Sequence, residues 1–251
     1  TIEIVSFFLV IRSISFKTFI VSLPVWYLRF TFFNLRSVSM NKSFIIKIFA
    51  FCLVTIIVNS CGDVKKVNAI EKVVLFGDSL MAGYGLSNED HLSEVLEKNL
   101  KSRGYDIEII NGSVSGSTSS GGLNRAEWTL SELNVDLMIL GLGANDMLRG
   151  IKPSETKKNL EKIIKIAQDK NIKVILAGMI APTSHGLKYK KNFDKIYPDL
   201  SKKYDLIYIP FLLEGVALKP ELNLDDGMHP NSSGVKIISK MLEKTIISLI
   251  N

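Results

Sequence analysis

A serine and a distant aspartate–histidine pair in this sequence could together form a nucleophilic site. Ser79 follows an apolar run at residues 73–75, and Asp226 stands three residues before His229. A serine hydroxyl is a poor nucleophile until a base takes its proton, and the base works best when a carboxylate fixes its tautomer. The sequence therefore contains the side chains that this chemistry needs, in the chain order serine, aspartate, histidine.

Each of these signals also has a purely structural explanation. Gly-Asp-Ser, at residues 77–79, is ordinary turn chemistry after a strand. Asp226 and His229 could be a structural pair or two metal ligands. A metal site would need a third ligand, but His91 and His185 show no ligand spacing to that pair. We therefore predict neither a metal nor another cofactor.

The elements that must position these residues begin at residue 72, where short apolar runs start to alternate with amphipathic ones. Strands are predicted at residues 73–77, 106–111, 135–141, 173–179 and 206–210. Helices are predicted from Ser87 to Gly104, over 123–133, from Pro153 onward, over 187–203 with a kink or break at Pro198, and over 235–249. This alternation predicts an α/β fold, a three-layer α/β/α sandwich around a mostly parallel five-stranded sheet.

Polar segments follow the first three predicted strands, at residues 78–79, 113–118 and 143–146. Because the functional crevice of a parallel sheet lies beyond the carboxyl ends of its strands, these segments should open onto one rim. Asp226 and His229 precede the last helix, in a loop that can return to the same rim. Four segments that are distant in sequence are therefore predicted to converge.

Four short blocks, in this order, are similar to those of the SGNH or GDSL hydrolases. They are residues 77–80, the turn at Gly116, residues 143–146 and residues 226–230. The longer sequence of residues 76–85 resembles the corresponding segment in a bacterial subgroup of multifunctional thioesterases, lysophospholipases and arylesterases. The resemblance extends from about residue 73 to the end of the chain and implies a flavodoxin-like fold.

The resemblance implies a role for each matching residue. Ser79 would attack an acyl carbonyl, His229 would accept its proton, and Asp226 would orient the imidazole. The oxyanion would be held by the backbone N–H groups of Ser79 and Gly116 and by the side-chain amide of Asn145. By itself, Gly116 could equally be a loop residue that needs a positive φ, and Asn145 could cap a turn.

We therefore expect a serine-dependent hydrolase that cleaves esters or thioesters of modest acyl groups through an acyl-enzyme. Two alternatives stay open, a carbohydrate O-deacetylase of the same superfamily and a catalytically silent surface lipoprotein that binds lipid or glycan. The commoner esterase motif Gly-x-Ser-x-Gly is excluded, because Met81 stands where its second glycine belongs. His185, after the fourth predicted strand, is a candidate for lining the substrate entrance. We expect a monomer.

The formal net charge of +6 is concentrated at the start of the chain. Residues 1–61 contain six basic residues and one acidic residue, so the remainder is close to neutral. A nearly neutral body lacks the electrostatic basis for nucleic-acid binding, which we therefore exclude.

The segment before the body resembles an export signal. Residues 40–60 contain basic residues and then an almost continuous apolar run, and they end in small residues before Cys61. This pattern is typical of a lipoprotein signal peptide, with Cys61 as the residue that carries the lipid. A plain cleaved signal and an uncleaved anchor are the alternatives. The run is too short to span a membrane comfortably, since a spanning helix needs ~20 apolar residues.

These features divide the chain into four predicted parts. Residues 1–39 are upstream sequence from a mis-assigned start or an extra leader, 40–60 the signal peptide, 61–71 a tether, and 72–251 the hydrolase domain. The protein is thus expected to be an exported bacterial lipoprotein, anchored to a membrane through its N-terminal lipid. The two cysteines, Cys52 and Cys61, both precede the domain, so no disulfide is available within it.

Overall fold

Five parallel strands form the central sheet of the part of the protein that the computed structural model describes, residues 70–250. They are β1 (Lys72–Gly77), β2 (Glu108–Asn111), β3 (Leu137–Gly141), β4 (Lys173–Ala177) and β5 (Ile207–Ile209). Their order is β2-β1-β3-β4-β5, and every pair of neighbours is parallel. The predicted strands and the predicted α/β class are confirmed.

Helices cover the sheet and complete the three layers. They are α1 (Ser79–Ala82), α2 (Leu92–Ser102), α3 (Ser119–Leu133), α4 (Ala144–Leu148), α5 (Pro153–Asp169), α6 (Leu187–Asp194), α7 (Ile196–Tyr204) and α8 (Ser232–Ile250). Helix α2 packs along α8, and α3 packs along α5. All five residues of β3 are buried, as expected for a parallel sheet with both faces covered.

Helix α2 begins later than its sequence signal predicts. The capping pattern predicts a start at Ser87, whereas a 3₁₀ turn occupies Asn88–Asp90 and α2 starts at Leu92. The Ser87 side chain makes no capping bond to the backbone of that turn. Its hydroxyl instead donates to Asp90 Oδ2 at 3.3 Å, so the two polar side chains satisfy each other.

Helix α3 begins four residues before the predicted start at residue 123. The Thr118 side chain accepts a hydrogen bond from the Gly121 N–H at 3.2 Å and so caps the helix. Gly121 and Gly122 hide this first turn in the sequence, because glycine disfavours helix interiors. Packing explains the second glycine, since a Cβ on Gly122 would lie 2.3 Å from Leu142 Cδ1.

The predicted break near Pro198 is confirmed and lies slightly upstream of the proline. Helix α6 ends at Asp194, and α7 starts at Ile196. Pro198 has no N–H to donate to the Asp194 carbonyl, so a continuous helix would lose a hydrogen bond there. Within the first turn of α7, the same proline is tolerated.

The strand order places a switch point beside β1. The chain runs from β1 to β2 on one side and then to β3 on the other side, so the crossovers cover opposite faces and leave a crevice beyond the carboxyl ends. β1 ends at Gly77 and β3 ends at Gly141, and these two glycines are partners in register. Ser79 and Asn145 both follow these strand ends within four residues.

The predicted leader, Cys61 and the tether up to residue 69 lie outside the described residues. Ile70, the first described residue, is already buried in the core. Among residues 70–250, no helix has both the length and the apolar character needed to cross a membrane.

Candidate active site

Ser79, His229 and Asp226 form a continuous chain of short contacts. Ser79 Oγ lies 2.8 Å from His229 Nε2, although the two residues are 150 positions apart. His229 Nδ1 lies 2.6 Å from Asp226 Oδ2. The structure therefore brings together the three residues that the sequence analysis assigned to nucleophile, base and orienting carboxylate.

The position of Ser79 depends on the end of β1. Asp78 is the N-cap of α1, and its Oδ1 accepts a hydrogen bond from the Leu80 N–H at 3.1 Å. Met81 of the same short helix is fully buried against the strand ends. A Cβ on Gly77 would lie 2.5 Å from Met81 Sδ, so the glycine is what allows α1 to pack this closely.

The base and its carboxylate lie in a loop that is closed by its own backbone. The Leu224 N–H donates to the His229 carbonyl at 2.7 Å, and Gly227 turns the chain with φ +68°. After the loop, Asn231 Oδ1 accepts from the Gly234 N–H at 3.1 Å at the start of α8. The loop and the helix start together determine where the imidazole lies.

Hydrogen bonds fix the ionisation of Asp226. The backbone N–H groups of His229 and Met228, together with the imidazole, hold the pKa of Asp226 down at about 2. The carboxylate is therefore ionised at neutral pH and accepts a hydrogen bond from Nδ1–H of His229. This leaves the Nε2 lone pair facing Ser79 Oγ, which is the tautomer a general base needs.

Tyr84 covers one face of the imidazole, a contact that the sequence analysis missed. The ring centroids of Tyr84 and His229 lie 4.4 Å apart, with 36° between the ring planes. Tyr84 stands five residues after Ser79 in the block that carries the family resemblance, and an aromatic residue there was the available signal. Its contact limits the orientations open to the ring.

Gly116 and Asn145 line the same cavity as Ser79 and His229, so the predicted oxyanion donors share one space with the nucleophile. Gly116 has φ +77°, and its carbonyl accepts from Arg149 Nη2 at 3.1 Å. The alternative that Gly116 is a loop residue needing a positive φ is thus compatible with its position in the site.

The segment before Asn145 requires a glycine for two reasons. Gly143 has φ +119°, and a Cβ there would lie 2.2 Å from Tyr197 Oη. The Tyr197 hydroxyl is buried and donates to the Leu142 carbonyl at 3.0 Å. A side chain on α7 therefore supports the backbone that carries Asn145.

Asp146 fixes the other side of Asn145. Its buried carboxylate accepts from the Ser119 N–H at 2.7 Å and from the Thr156 hydroxyl at 3.0 Å. The Ser119 hydroxyl donates at 2.5 Å to Asp146 Oδ1, the same oxygen that accepts from Thr156. These bonds connect the segment after β3 to the starts of α3 and α5.

Arg125 is a second positioning residue that the sequence analysis missed. Its guanidinium donates to the Gly112 carbonyl at 2.6 Å and to the Gly77 carbonyl at 3.2 Å. It lies 3.8 Å above the Phe76 ring. A basic residue among the inward positions of α3 was the signal, and its effect is to bind the ends of β1 and β2 together.

A carboxyl next to the nucleophile is buried at a cost. Asp78 is fully buried, and the Leu80 N–H and the side-chain amide of Asn145 are the hydrogen-bond donors that favour its charged form. Burial raises the pKa of Asp78 to about 6, because the charged form loses its hydration. The sequence analysis does not predict this environment.

The cavity at Ser79 has a volume of about 560 Å³ and is lined mainly by apolar side chains. These include Leu80, Met147, Met179, Phe211, Leu213 and Leu218. His185 is not among its lining residues. Its ring contacts the Tyr189 ring at a tilt of 45°, with centroids 5.1 Å apart. Pro182, from the same loop, lines the cavity instead.

No three His, Cys, Asp or Glu side chains within residues 70–250 are close enough together to hold a metal ion. The arrangement present is a hydroxyl, a base and a carboxylate at the mouth of an apolar cavity. Such an arrangement can transfer an acyl group to serine and then to water.

Comparisons with known proteins identify the family of this chain. Residues 75–237 match the GDSL-like Lipase/Acylhydrolase family. An arylesterase of Vibrio mimicus is 36% identical over 179 residues, which are 71% of this chain and 90% of the relative. Thioesterase 1/protease 1/lysophospholipase L1 of Escherichia coli K12 is 33% identical over 183 residues, 73% of this chain and 86% of the relative.

A solved structure extends the likeness to the fold. The psychrotrophic esterase EstA from Pseudoalteromonas sp., in a structure inhibited by monoethylphosphonate, superposes with a TM-score of 0.69 at 29% identity. The alignment covers 72% of this chain and 99% of that esterase. The likeness thus spans nearly the whole of that enzyme.

Proposed function

Because this chain belongs to the GDSL-like lipase/acylhydrolase family and is a serine acyl hydrolase, we propose that Ser79, His229 and Asp226 carry out its hydrolysis. The observation that supports this assignment is the 2.8 Å contact between Ser79 Oγ and His229 Nε2. The 2.6 Å contact from His229 Nδ1 to Asp226 Oδ2 connects the orienting carboxylate to the base.

In the first half-reaction, Ser79 Oγ attacks the acyl carbonyl while His229 Nε2 takes its proton. The oxyanion that forms is stabilised by the N–H groups of Ser79 and Gly116 and the amide of Asn145. His229 then returns the proton to the leaving alcohol or thiol, and the acyl group remains on Ser79. Water, activated by the same imidazole, attacks the acyl-enzyme and releases the acid.

The substrates we propose are esters or thioesters whose acyl part is apolar. The lining of the 560 Å³ cavity supports an apolar acyl group, and a volume of this size can hold a ligand of drug-like dimensions. The relatives named as an arylesterase and as a thioesterase and lysophospholipase support the same range of leaving groups.

The proposed export and anchoring rest on the sequence before residue 62. We propose that Cys61 becomes the lipid-bearing first residue of the mature protein, which then acts as a monomer on a membrane. Mass spectrometry of the mature N-terminus tests this. A lipid-modified Cys61 supports the proposal, and a mature protein that starts at any other residue contradicts it.

Replacement of Ser79 by alanine tests the catalytic assignment. Hydrolysis of a soluble aryl ester by Ser79→Ala should fall by about 10⁵-fold or more, because nucleophile and base act as a unit. A fluorophosphonate probe should label the parent chain and leave Ser79→Ala unlabelled. The matched control is Ser87→Ala, whose hydroxyl bonds to Asp90 and does not line the cavity.

The outcomes separate the three functions that the sequence leaves open. Full ester turnover by Ser79→Ala would refute the assignment. Labelling at Ser79 with turnover only of acetylated sugars would identify an O-deacetylase. An unlabelled parent chain without turnover would identify a catalytically silent binding protein.

A further inference from the structure

Exposed apolar side chains are concentrated around the active-site cavity. Among residues 70–250, nine large apolar side chains are exposed, and five of these line the cavity. The five are Tyr84, Leu148, Ile180, Leu218 and Met228. Isolated exposed apolar residues need no explanation, whereas a group around one opening indicates contact with another apolar phase or partner.

Leu218 is the most exposed of these residues and has an unfavourable backbone. It is 94% exposed and has φ +63°, in the left-handed region that favours glycine or asparagine. Folding gains little from a leucine that is both strained and hydrated. Backbone strain at the edge of a site indicates that the residue is retained for function, here for contact with another molecule, and not for stability.

Each exposed leucine of residues 70–250 is followed directly by an exposed basic residue. The pairs are Leu148-Arg149, Leu187-Lys188 and Leu218-Lys219. The start of α6, which carries Leu187, adjoins the loop after Leu148, because Tyr189 Oη donates to the Ile151 carbonyl at 2.9 Å. Leu148 and Leu218 thus line the cavity, and the pair at Leu187 belongs to a helix that is hydrogen-bonded to the segment after Leu148.

The basic residues of these pairs do not create an extended positive electrostatic field, because acidic residues accompany them. Glu214 and Glu221 belong to the same segment as Lys219. Binding should therefore come mainly from the apolar side chains, with the cations meeting anionic groups beside them. Leucines that enter acyl chains next to lysines that meet phosphates are the pattern of an interfacial contact with lipid.

We propose that the cavity rim, defined by these three leucine–cation pairs, docks on a phospholipid surface. The leucines enter the acyl-chain region, and the cations lie against the phosphate groups. This proposal rests on the acyl hydrolase function, because docking would give an apolar substrate a water-free route from the lipid to Ser79. A lipid fits the rim better than a folded protein does, since the same apolar lining continues from the exposed leucines into the cavity.

A tryptophan at position 218 tests whether the rim enters lipid. We would prepare Leu218→Trp in the full chain and add vesicles of phosphatidylcholine that carry brominated acyl chains, with and without phosphatidylglycerol. The fluorescence of the introduced tryptophan should shift to shorter wavelength and fall at least twofold. The parent chain supplies the background, which comes from Trp128 and, in a chain not processed at Cys61, also from Trp26.

The matched control is Ile237→Trp. Ile237 is an exposed apolar residue of α8 that does not line the cavity, so its tryptophan should not be quenched. A lipid anchor would hold both variants on the vesicle equally, so a difference between them reports orientation. Equal quenching at both positions overturns the proposal. Absence of quenching at position 218 with either vesicle does so too and indicates a protein partner for the rim.

Charge reversal gives a second test that does not alter the cavity. Lys188→Glu with Lys219→Glu should lower hydrolysis of an ester dispersed in phosphatidylglycerol-containing vesicles by at least about fivefold. Hydrolysis of a soluble aryl ester should stay unchanged. Lys240→Glu with Lys244→Glu, an equal charge change on α8, should leave both rates unchanged, and an equal loss in the two double variants contradicts the proposal.

Failure of docking and failure of the acyl hydrolase assignment are distinguishable. If the parent chain turns over the soluble ester but position 218 is not quenched, only the docking proposal fails. If the parent chain neither turns over the ester nor reacts with fluorophosphonate, the catalytic proposal fails whatever the vesicles show.

Discussion

The two sides of the active site are held in place by different means. The nucleophile side, Ser79 and Asn145, follows buried strand ends and depends on buried polar side chains from several helices. The base side, Asp226 and His229, lies in a loop whose bonds are made almost entirely within residues 216–235. The nucleophile side therefore depends on the packing of the whole domain, and the base side depends on local backbone geometry.

This difference predicts that the base side can be changed chemically at little cost to folding, whereas most changes on the nucleophile side affect stability as well. The following variants measure activity, stability or both on one side at a time.

Loss of the base should have the largest effect. His229→Gln keeps a polar side chain but cannot take up the serine proton, so kcat should fall by about 10⁴-fold or more. Because His229 lies in a partly exposed loop, Tm should stay within about 2 °C of the parent. Steady-state hydrolysis of a soluble ester and thermal unfolding check the two parts. Activity within tenfold of the parent would mean that the base lies elsewhere.

Loss of one oxyanion donor should have the next largest effect. Asn145→Ala should lower kcat by about 10²–10³-fold and change KM little, because its amide is needed mainly in the transition state. Asn99→Ala removes an amide that bonds to Ser239, and it serves as the control because neither residue lines the cavity. Equal kcat values for the two variants would remove Asn145 from the mechanism.

Two glycine variants compare the packing of the two sides directly. Gly143→Ala adds a Cβ at 2.2 Å from Tyr197 Oη and should cost roughly 2–4 kcal/mol of unfolding free energy. Gly227→Ala also has a positive φ but meets no atom within 4 Å, so only about 1–2 kcal/mol is expected. Urea unfolding measures both, and a cost at Gly227 as large as at Gly143 would contradict the comparison.

The smallest expected effect is a dependence of stability on pH. The pKa of Asp78 rises from its ordinary 3.8 to about 6, so the native state holds this proton more tightly than the unfolded chain does. The stability that the native state gains by keeping Asp78 protonated is fully present below about pH 4 and is lost as pH rises through 6. Asp78→Asn cannot ionise, and its oxygen can still accept from Leu80.

The Tm advantage of Asp78→Asn over the parent should therefore grow between pH 5 and pH 8, by several degrees. Thermal unfolding at a series of pH values measures it. A difference that stays constant across this range would show that Asp78 has an ordinary pKa.

The five strands could be predicted because each is a short apolar run, and their parallel order follows from alternation with helices. The starts of two helices could not. The Ser87 side chain hydrogen-bonds to Asp90 and does not form the predicted capping bond. At Gly122, the close approach of Leu142 requires a glycine, which disfavours helices. In both places a contact overrode the local preference of the sequence.

The sequence by itself determined the candidate catalytic residues and the strand ends that carry them, because residue type and periodicity are local properties. Only the tertiary structure decided that Tyr84 covers the imidazole and that Leu218 is left exposed at the cavity rim. It also decided the environment of Asp78, whose unusual pKa comes from burial. These features arise from contacts between segments up to about 150 residues apart, and such contacts depend on how the helices pack on the sheet.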